Sequence, residues 1–222
     1  ITEGHYDNLF RDWAEKIKEV KSPVLLRILH EFNGDWYPWS LSKNDFNAQL
    51  YKKAYQRIWN IFKEEKVTNV KFVWCPNSTS FPQESWNNML DAYPGHQYVD
   101  YVGLDVYNGA GDKALPNWVS FRAEAAHGYF TLTNAFPDKP FLICEVASRE
   151  RKNVEKGELQ TKAAWMAQLS EAIKSDFSKV RLLSWFNEEK FRVNTSNESK
   201  TAFSKYIWTD SYFKSGKEGL LK

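Results

Sequence analysis

Five short apolar runs punctuate the chain: PVLLRIL (residues 23–29), VKFVWC (70–75), VDYVGLDVY (99–107), KPFLICEVA (139–147) and KVRLLSWF (179–186). Each is short and rich in β-branched or aromatic residues, so each reads as a fully buried strand. Segments of helical period lie around them: Tyr6 to Val20, Asp45 to Lys63 with Leu50, Ala54, Ile58 and Ile61 on one face, Asn117 to Ala135, and Gly157 to Ile173. Strand then helix, repeated, specifies an α/β fold with a parallel sheet. No glycine-rich phosphate loop follows any run, which removes the best sign of a doubly wound nucleotide fold. A (β/α)8 barrel gains by that, because its chemistry sits on loops past the strand C-termini. Those positions here read HEFNGDWYPW, CPNSTSF, YNGAG, EVASRE and FNEE. A closed barrel takes eight strands in about 250 residues. Five are visible, so either three units are missing or the fold is not this barrel, and residues 1–222 read as one domain with 214–222 as an unstructured tail.

Composition narrows the partners. A net charge of +2 leaves no field to gather nucleic acid or an anionic membrane, and a neutral partner fits better. Ten Trp and eleven Tyr exceed what an ordinary core uses, so some belong to a binding surface. Cys75 and Cys144 are the only cysteines; they define no disulfide framework and read as small core hydrophobes. No Cys/His spacing resembles a zinc site, and no cofactor is expected. No run approaches the roughly 18 residues of a membrane span, and the first residues lack a signal-peptide pattern. A start at Ile rather than Met fits a processed, trimmed or incomplete polypeptide. A monomer is expected, with the option of one module in a larger chain.

Alternation along a strand decides which side chains share a face. Arg27, Leu29 and Glu31 share one parity in the first run, and Phe141, Ile143 and Glu145 share one in the fourth. An inward Arg27 would need a carboxylate partner. Two glutamates thus end two parallel strands on one rim, which is the arrangement glycoside hydrolysis uses. One carboxylic acid protonates the leaving oxygen and one carboxylate attacks the anomeric carbon, with retention when the two are about 5 to 5.5 Å apart. Pyranose rings carry apolar C–H faces that lie flat on indoles. Trp36, Trp39, Trp74 and Trp185 all fall at or just past strand ends and would floor such a cleft.

The motifs RILHEFNGDWYPW, YVDYVGLDVYN, KPFLICEVAS and LSWFN, in this order, resemble glycoside hydrolase family 26 over roughly Tyr6 to Ala202. That family is a (β/α)8 barrel with catalytic carboxylates on its fourth and seventh strands, dominated by endo-β-1,4-mannanases, with some mixed-linkage β-glucanases and β-1,3-xylanases. The resemblance makes the visible strands numbers four to eight. It implies a secreted, retaining endo-glycosidase acting on a polysaccharide, with Glu31 as acid/base and Glu145 as nucleophile. His30 would stand beside the acid and Tyr107 would hydrogen-bond the nucleophile. Trp36 and Trp185 would stack on sugars at the cleavage point, and Asp100 would support a subsite. Many mannanases of the family read WFWW where this chain has Trp36-Tyr37-Pro38-Trp39, a departure that favours the glucanase (lichenase) branch.

Blander readings compete. His30-Glu31 lacks the second histidine of a zinc helix, position 34 being Gly. Trp118 reads as core packing, and Trp74 reads as core or platform alike. Other classes are a catalytically silent or fragmentary carbohydrate-binding barrel, and an aldolase or isomerase barrel, which would want an inward Lys or metal ligands.

Overall fold

The computed structural model describes residues 1–109, 117–151 and 160–213. They divide into two compact units, Ile1–Gly103 with Asp138–Pro140, and Leu104–Pro137 with Phe141–Lys222. The loop residues 110 and 111, the start of the helix expected from Gly157, and the tail from Lys214 lie outside the described residues.

In the first unit α1 (Asp7–Lys18), β1 (Val24–Arg27), α2 (Ala48–Glu64), β2 (Val70–Trp74) and the start of β3 (Tyr101–Asn108) follow in order. β1 pairs in parallel with β2 in the register Val24↔Val70 to Arg27↔Val73, and β2 pairs in parallel with β3 through Val73↔Tyr101 and Trp74↔Val102. Asn47 caps α2 by accepting the Gln49 and Leu50 amides at 3.0 and 3.1 Å. Below that cap Tyr51, Ala54, Tyr55, Ile58, Ile61 and Phe62 are buried at helical spacing. Tyr55 and Phe62 set their rings 6.3 and 5.5 Å from Phe72 of β2. On the surface Arg57 grips both oxygens of Asp7 at 2.8 and 2.7 Å, tying α2 to the start of α1; so exposed a pair adds little to stability.

In the second unit α3 (Phe121–Ala135), β4 (Phe141–Ser148), α4 (Lys162–Ser175), β5 (Val180–Trp185) and α5 (Asn197–Phe203) succeed the rest of β3. Ser120 and Thr161 cap α3 and α4 through the Ala123 and Ala164 amides. Phe121, Tyr129, Trp165 and Phe177 form an edge-to-face cluster with ring centroids 4.6 to 5.6 Å apart. β4 and β5 are parallel, but their register slips twice. Between Ile143↔Leu183 and Val146↔Trp185 three steps of β4 face two of β5, which makes a bulge of Cys144 and Glu145.

The expectation of five fully buried strands needs correction at both ends of the strand order. β2, β3 and β4 are mainly buried, whereas every residue of β1 is half-buried and no residue of β5 is fully so. Among the described residues β1 pairs on one side, with β2, and β5 on one side, with β4. The first strand also stops at Arg27 rather than Leu29.

Gly128 sits inside α3, and a Cβ there would meet the Leu104 methyls at 2.8 and 3.0 Å. Gly128→Ala would gain about 1 kcal/mol of helix propensity but overpack a fully buried leucine at about 1–3 kcal/mol. The net expectation is a loss of about 0–2 kcal/mol in chemical unfolding, and a clear gain in stability would contradict this packing.

Candidate active site

Glu31 does not end a strand. It stands four residues past β1 in a turn, buried, with left-handed backbone (φ 52°), and Leu29 before it has φ 50°. Such angles are uncommon for side-chain-bearing residues and persist only where the surroundings hold them. Two bonds hold these: the Tyr51 hydroxyl donates to the Leu29 carbonyl at 3.0 Å, and the Glu31 amide donates to the Cys75 carbonyl at 2.9 Å. Burial pushes the Tyr51 phenol well above its ordinary pKa, so it remains a donor throughout the working range.

Each Glu31 carboxyl oxygen accepts an N–H at 2.8 Å, Oε2 from the Trp36 indole and Oε1 from the Asn77 amide. Trp36 is nevertheless 44% exposed, so its ring both fixes the carboxyl and faces solvent. Gly34 permits this, because a Cβ there would lie 2.4 to 2.5 Å from the indole's six-membered ring. His30 accompanies Glu31: its Nε2 lies 3.0 Å from the Tyr37 hydroxyl, and its carbonyl accepts the Trp39 indole N–H at 2.7 Å. Tyr37 and Trp39 stack at 4.5 Å.

Beneath Glu31 the fully buried Asn33 joins the two loops that follow β1 and β2. Its side chain donates to the Asn77 carbonyl and the Ser80 hydroxyl at 2.9 and 3.1 Å, and accepts the Asn77 amide at 2.8 Å. Its carbonyl accepts the Phe81 amide and the Asn87 side chain, each at 2.8 Å.

In the second unit Glu145 occupies the β4 bulge, where simple alternation no longer fixes its direction. The Tyr107 hydroxyl, at the end of β3, donates to Glu145 Oε2. Phe186 and Phe191 pack edge-on against the Tyr107 ring at 5.7 and 5.2 Å. Trp185 stands behind them, its indole N–H on the Phe191 carbonyl at 2.9 Å and its ring beside Trp165 and Phe203.

The fully buried Lys162 opens α4 and donates to the Arg192 carbonyl at 2.5 Å and the Thr195 hydroxyl at 2.9 Å. Thr195 and Ser196 both donate to Glu150 at 2.8 Å. Burial lowers the Lys162 pKa to about 8, with Glu150 opposing.

Two expected site residues need correction. Trp74 is fully buried against Phe32 and Tyr93, so it has no ring face to offer a sugar. Asp100 lies before β3, at the end opposite Tyr107, where it exchanges two hydrogen bonds with the Phe72 backbone (2.9 and 2.8 Å) and fixes the strand register. Sequence reasoning missed Asn77 and Lys162. Asn77 stood in a polar post-strand loop and was legible as such, whereas Lys162 looked like any helical lysine.

A family model for glycosyl hydrolase family 26 matches residues 5–184. Endoglucanase H of Acetivibrio thermocellus is 32% identical over 217 residues, which are 95% of this chain and 23% of that protein. A mannan endo-1,4-beta-mannosidase of Bacillus subtilis is 31% identical over 141 residues, 61% of this chain and 33% of that one. The catalytic domain of a Bacillus sp. JAMB-750 family-26 endo-beta-1,4-mannanase superposes with a TM-score of 0.68 at 24% identity, covering 93% of this chain and 57% of that one. The chain therefore spans about a quarter to a third of these curated relatives and just over half of this solved structure. The chain belongs to glycosyl hydrolase family 26.

Gly34→Ala is expected to push the Trp36 indole off Glu31, and a crystal structure of the variant retaining that bond within 3.5 Å would contradict the packing. Lys162 binds its proton more weakly folded than unfolded, so it costs stability below pH about 8, and stability recovers as pH rises toward the ordinary lysine value of 10.5. Lys162→Met should therefore flatten the rise in chemical-denaturation stability between those pH values relative to the parent; an unchanged slope would refute the assignment.

Proposed function

Starting from that membership, we propose that the protein is a secreted, retaining, endo-acting glycoside hydrolase of a neutral β-linked polysaccharide. Glu31 acts as acid/base and Glu145 as nucleophile. The observation that carries this reading is a buried carboxyl, Glu31, clamped by the N–H of an exposed indole: a proton donor set directly beside a surface on which a sugar can lie. Glu145 supports it, because a carboxylate held by the Tyr107 hydroxyl is kept oriented for attack.

In the first step the Glu145 carboxylate attacks the anomeric carbon while Glu31 gives its proton to the departing glycosidic oxygen. In the second, Glu31 takes a proton from water, whose oxygen displaces Glu145 from the anomeric carbon. Bond and proton counts close without a metal or organic cofactor. His30, held by Tyr37, and Trp36 would line the sugar ring at the cleavage point. Trp185, half-buried among aromatics, would contribute through its remaining exposed edge.

Mannan and mixed-linkage β-1,3-1,4-glucan are the substrate candidates. The Trp36-Tyr37-Pro38-Trp39 sequence and the length of the match to a relative named an endoglucanase favour the glucan, while the name mannan endo-1,4-beta-mannosidase on a shorter match supports mannan. A polymer substrate calls for action outside the cell. No helix of the described residues is long and apolar enough to cross a membrane. The protein is proposed to act as a monomer, with the option of one module within a larger chain.

Incubation with mannan, lichenan and xylan, with product sizes and the initial anomer read by NMR, tests the reading. Glu145→Ala should fall at least roughly a hundredfold on every substrate, whereas Glu31→Ala should spare aryl glycosides with good leaving groups. A Glu145→Ala protein that keeps more activity than that would overturn the role assignment.

A further inference from the structure

Three aromatic side chains on the loops around Asn33 remain unexplained by the chemistry at Glu31. Phe46 is 55% exposed and Phe81 49% exposed, and Trp86 is half-buried with its ring 4.5 Å from that of Phe46. All three are built onto the Glu31 scaffold. The Phe81 amide is held by the Asn33 carbonyl, Trp86 precedes the Asn87 that binds the same carbonyl, and Phe46 bonds back to the Leu41 carbonyl in the loop that also carries Trp36.

The backbone under Phe46 gives a second, independent sign. Asp45 and Phe46 both have φ 55°, two successive side-chain-bearing residues in the left-handed region. Phe46 also directly precedes Asn47, the cap of α2. A hydrophobic residue there ordinarily staples onto the helix's fourth residue, here Tyr51. Phe46 leaves more than half its surface in solvent and leans on Trp86 instead. Backbone strain that holds an apolar ring outward is maintained by the surrounding structure, and such strain concentrates at ligand-binding segments.

We infer that the Phe46–Trp86 pair, with Phe81, forms a second sugar-binding platform that takes further residues of the neutral polysaccharide chain threaded past Glu31. The inference rests on the glycosidase reading above and extends it from the cleavage point to a distal subsite. The occupant is a glycan because the surface continues the Glu31 loops, presents exposed aromatic rings, two of them in contact at an interplanar angle of 57°, and lies on a chain of net charge +2, features that suit the apolar faces of uncharged pyranoses.

The test measures binding of tri- and hexasaccharides of β-1,4-mannan and of mixed-linkage glucan to the full chain carrying Glu145→Ala, by calorimetry. The hexasaccharide is expected to bind more tightly than the trisaccharide. Phe46→Ala or Trp86→Ala should cut that advantage by roughly 5- to 100-fold, the range of one lost ring-stacking interaction. Phe46→Tyr should restore it, and Leu9→Ala, exposed on α1, should not change it. Thermal melts matching the parent exclude a folding defect, and Trp86→Phe serves in place of Trp86→Ala should that variant melt early. An unchanged hexasaccharide advantage in both alanine variants would overturn the platform and leave the glycosidase reading intact. Failure of the Glu145→Ala protein to bind any of these sugars, with no polysaccharide cleavage by the parent, would overturn the glycosidase reading and the platform with it.

Discussion

The buried side chain of Asn33 is the constraint on which the Glu31 region depends. Neither the loop after β1 nor the loop after β2 runs in a sheet there, so their backbone polar groups need partners from elsewhere. The Asn33 side-chain amide and backbone carbonyl make five bonds there, three with backbone groups of Asn77 and Phe81 and two with the side chains of Ser80 and Asn87. Each such bond stabilises by only about 0.5–1.5 kcal/mol net, but an unmade one in a buried site costs about 1–3 kcal/mol. Asparagine, unlike serine or threonine, offers two N–H donors and a separate carbonyl acceptor on one short stem. It places the Asn77 side chain on Glu31, so a carboxyl is oriented by a residue that never touches it.

Strain follows the same geography. Among the described residues, four of the six non-glycine residues with positive φ are Leu29, Glu31, Asp45 and Phe46, all in the segment between β1 and α2. Tyr51 clamps the first from below, and the Cys75 carbonyl holds the second. A helix of good regularity, α2, thus stabilises irregular backbone through one phenol and one cap.

The strand and helix alternation was legible because apolar runs and helical periods are local signals, and the two glutamates were singled out because both stood next to such runs. Alternation along the strands does not set their direction. Period-two alternation ends at Arg27, so it cannot aim Glu31, and it is interrupted by the β4 bulge at Glu145 itself. Turns and bulges depend on partners distant in sequence, which a single run of residues does not display. Trp74 and Asp100 misled for a related reason: proximity to a strand end does not reveal which end faces the loops or whether a ring points inward. The short helix α5 was missed because it has seven residues and its capping box pairs Ser196 with Ser199, where the usual signature has Glu or Gln at the third position.

Counting residues across the β4 bulge leads somewhere else. Downstream of Glu145 the pairing resumes at Val146↔Trp185, so the extra residue is absorbed between Ile143 and Val146. The carboxylate's bearing is therefore governed by how many residues separate Ile143 from Val146, more than by what those residues are. Substituting the thiol of Cys144 alters little of that count, whereas shortening the strand by one position there would restore regular pairing and turn the acidic group away from Tyr107. Chain length at a single point, a quantity no side-chain comparison records, sets where this carboxylate is directed.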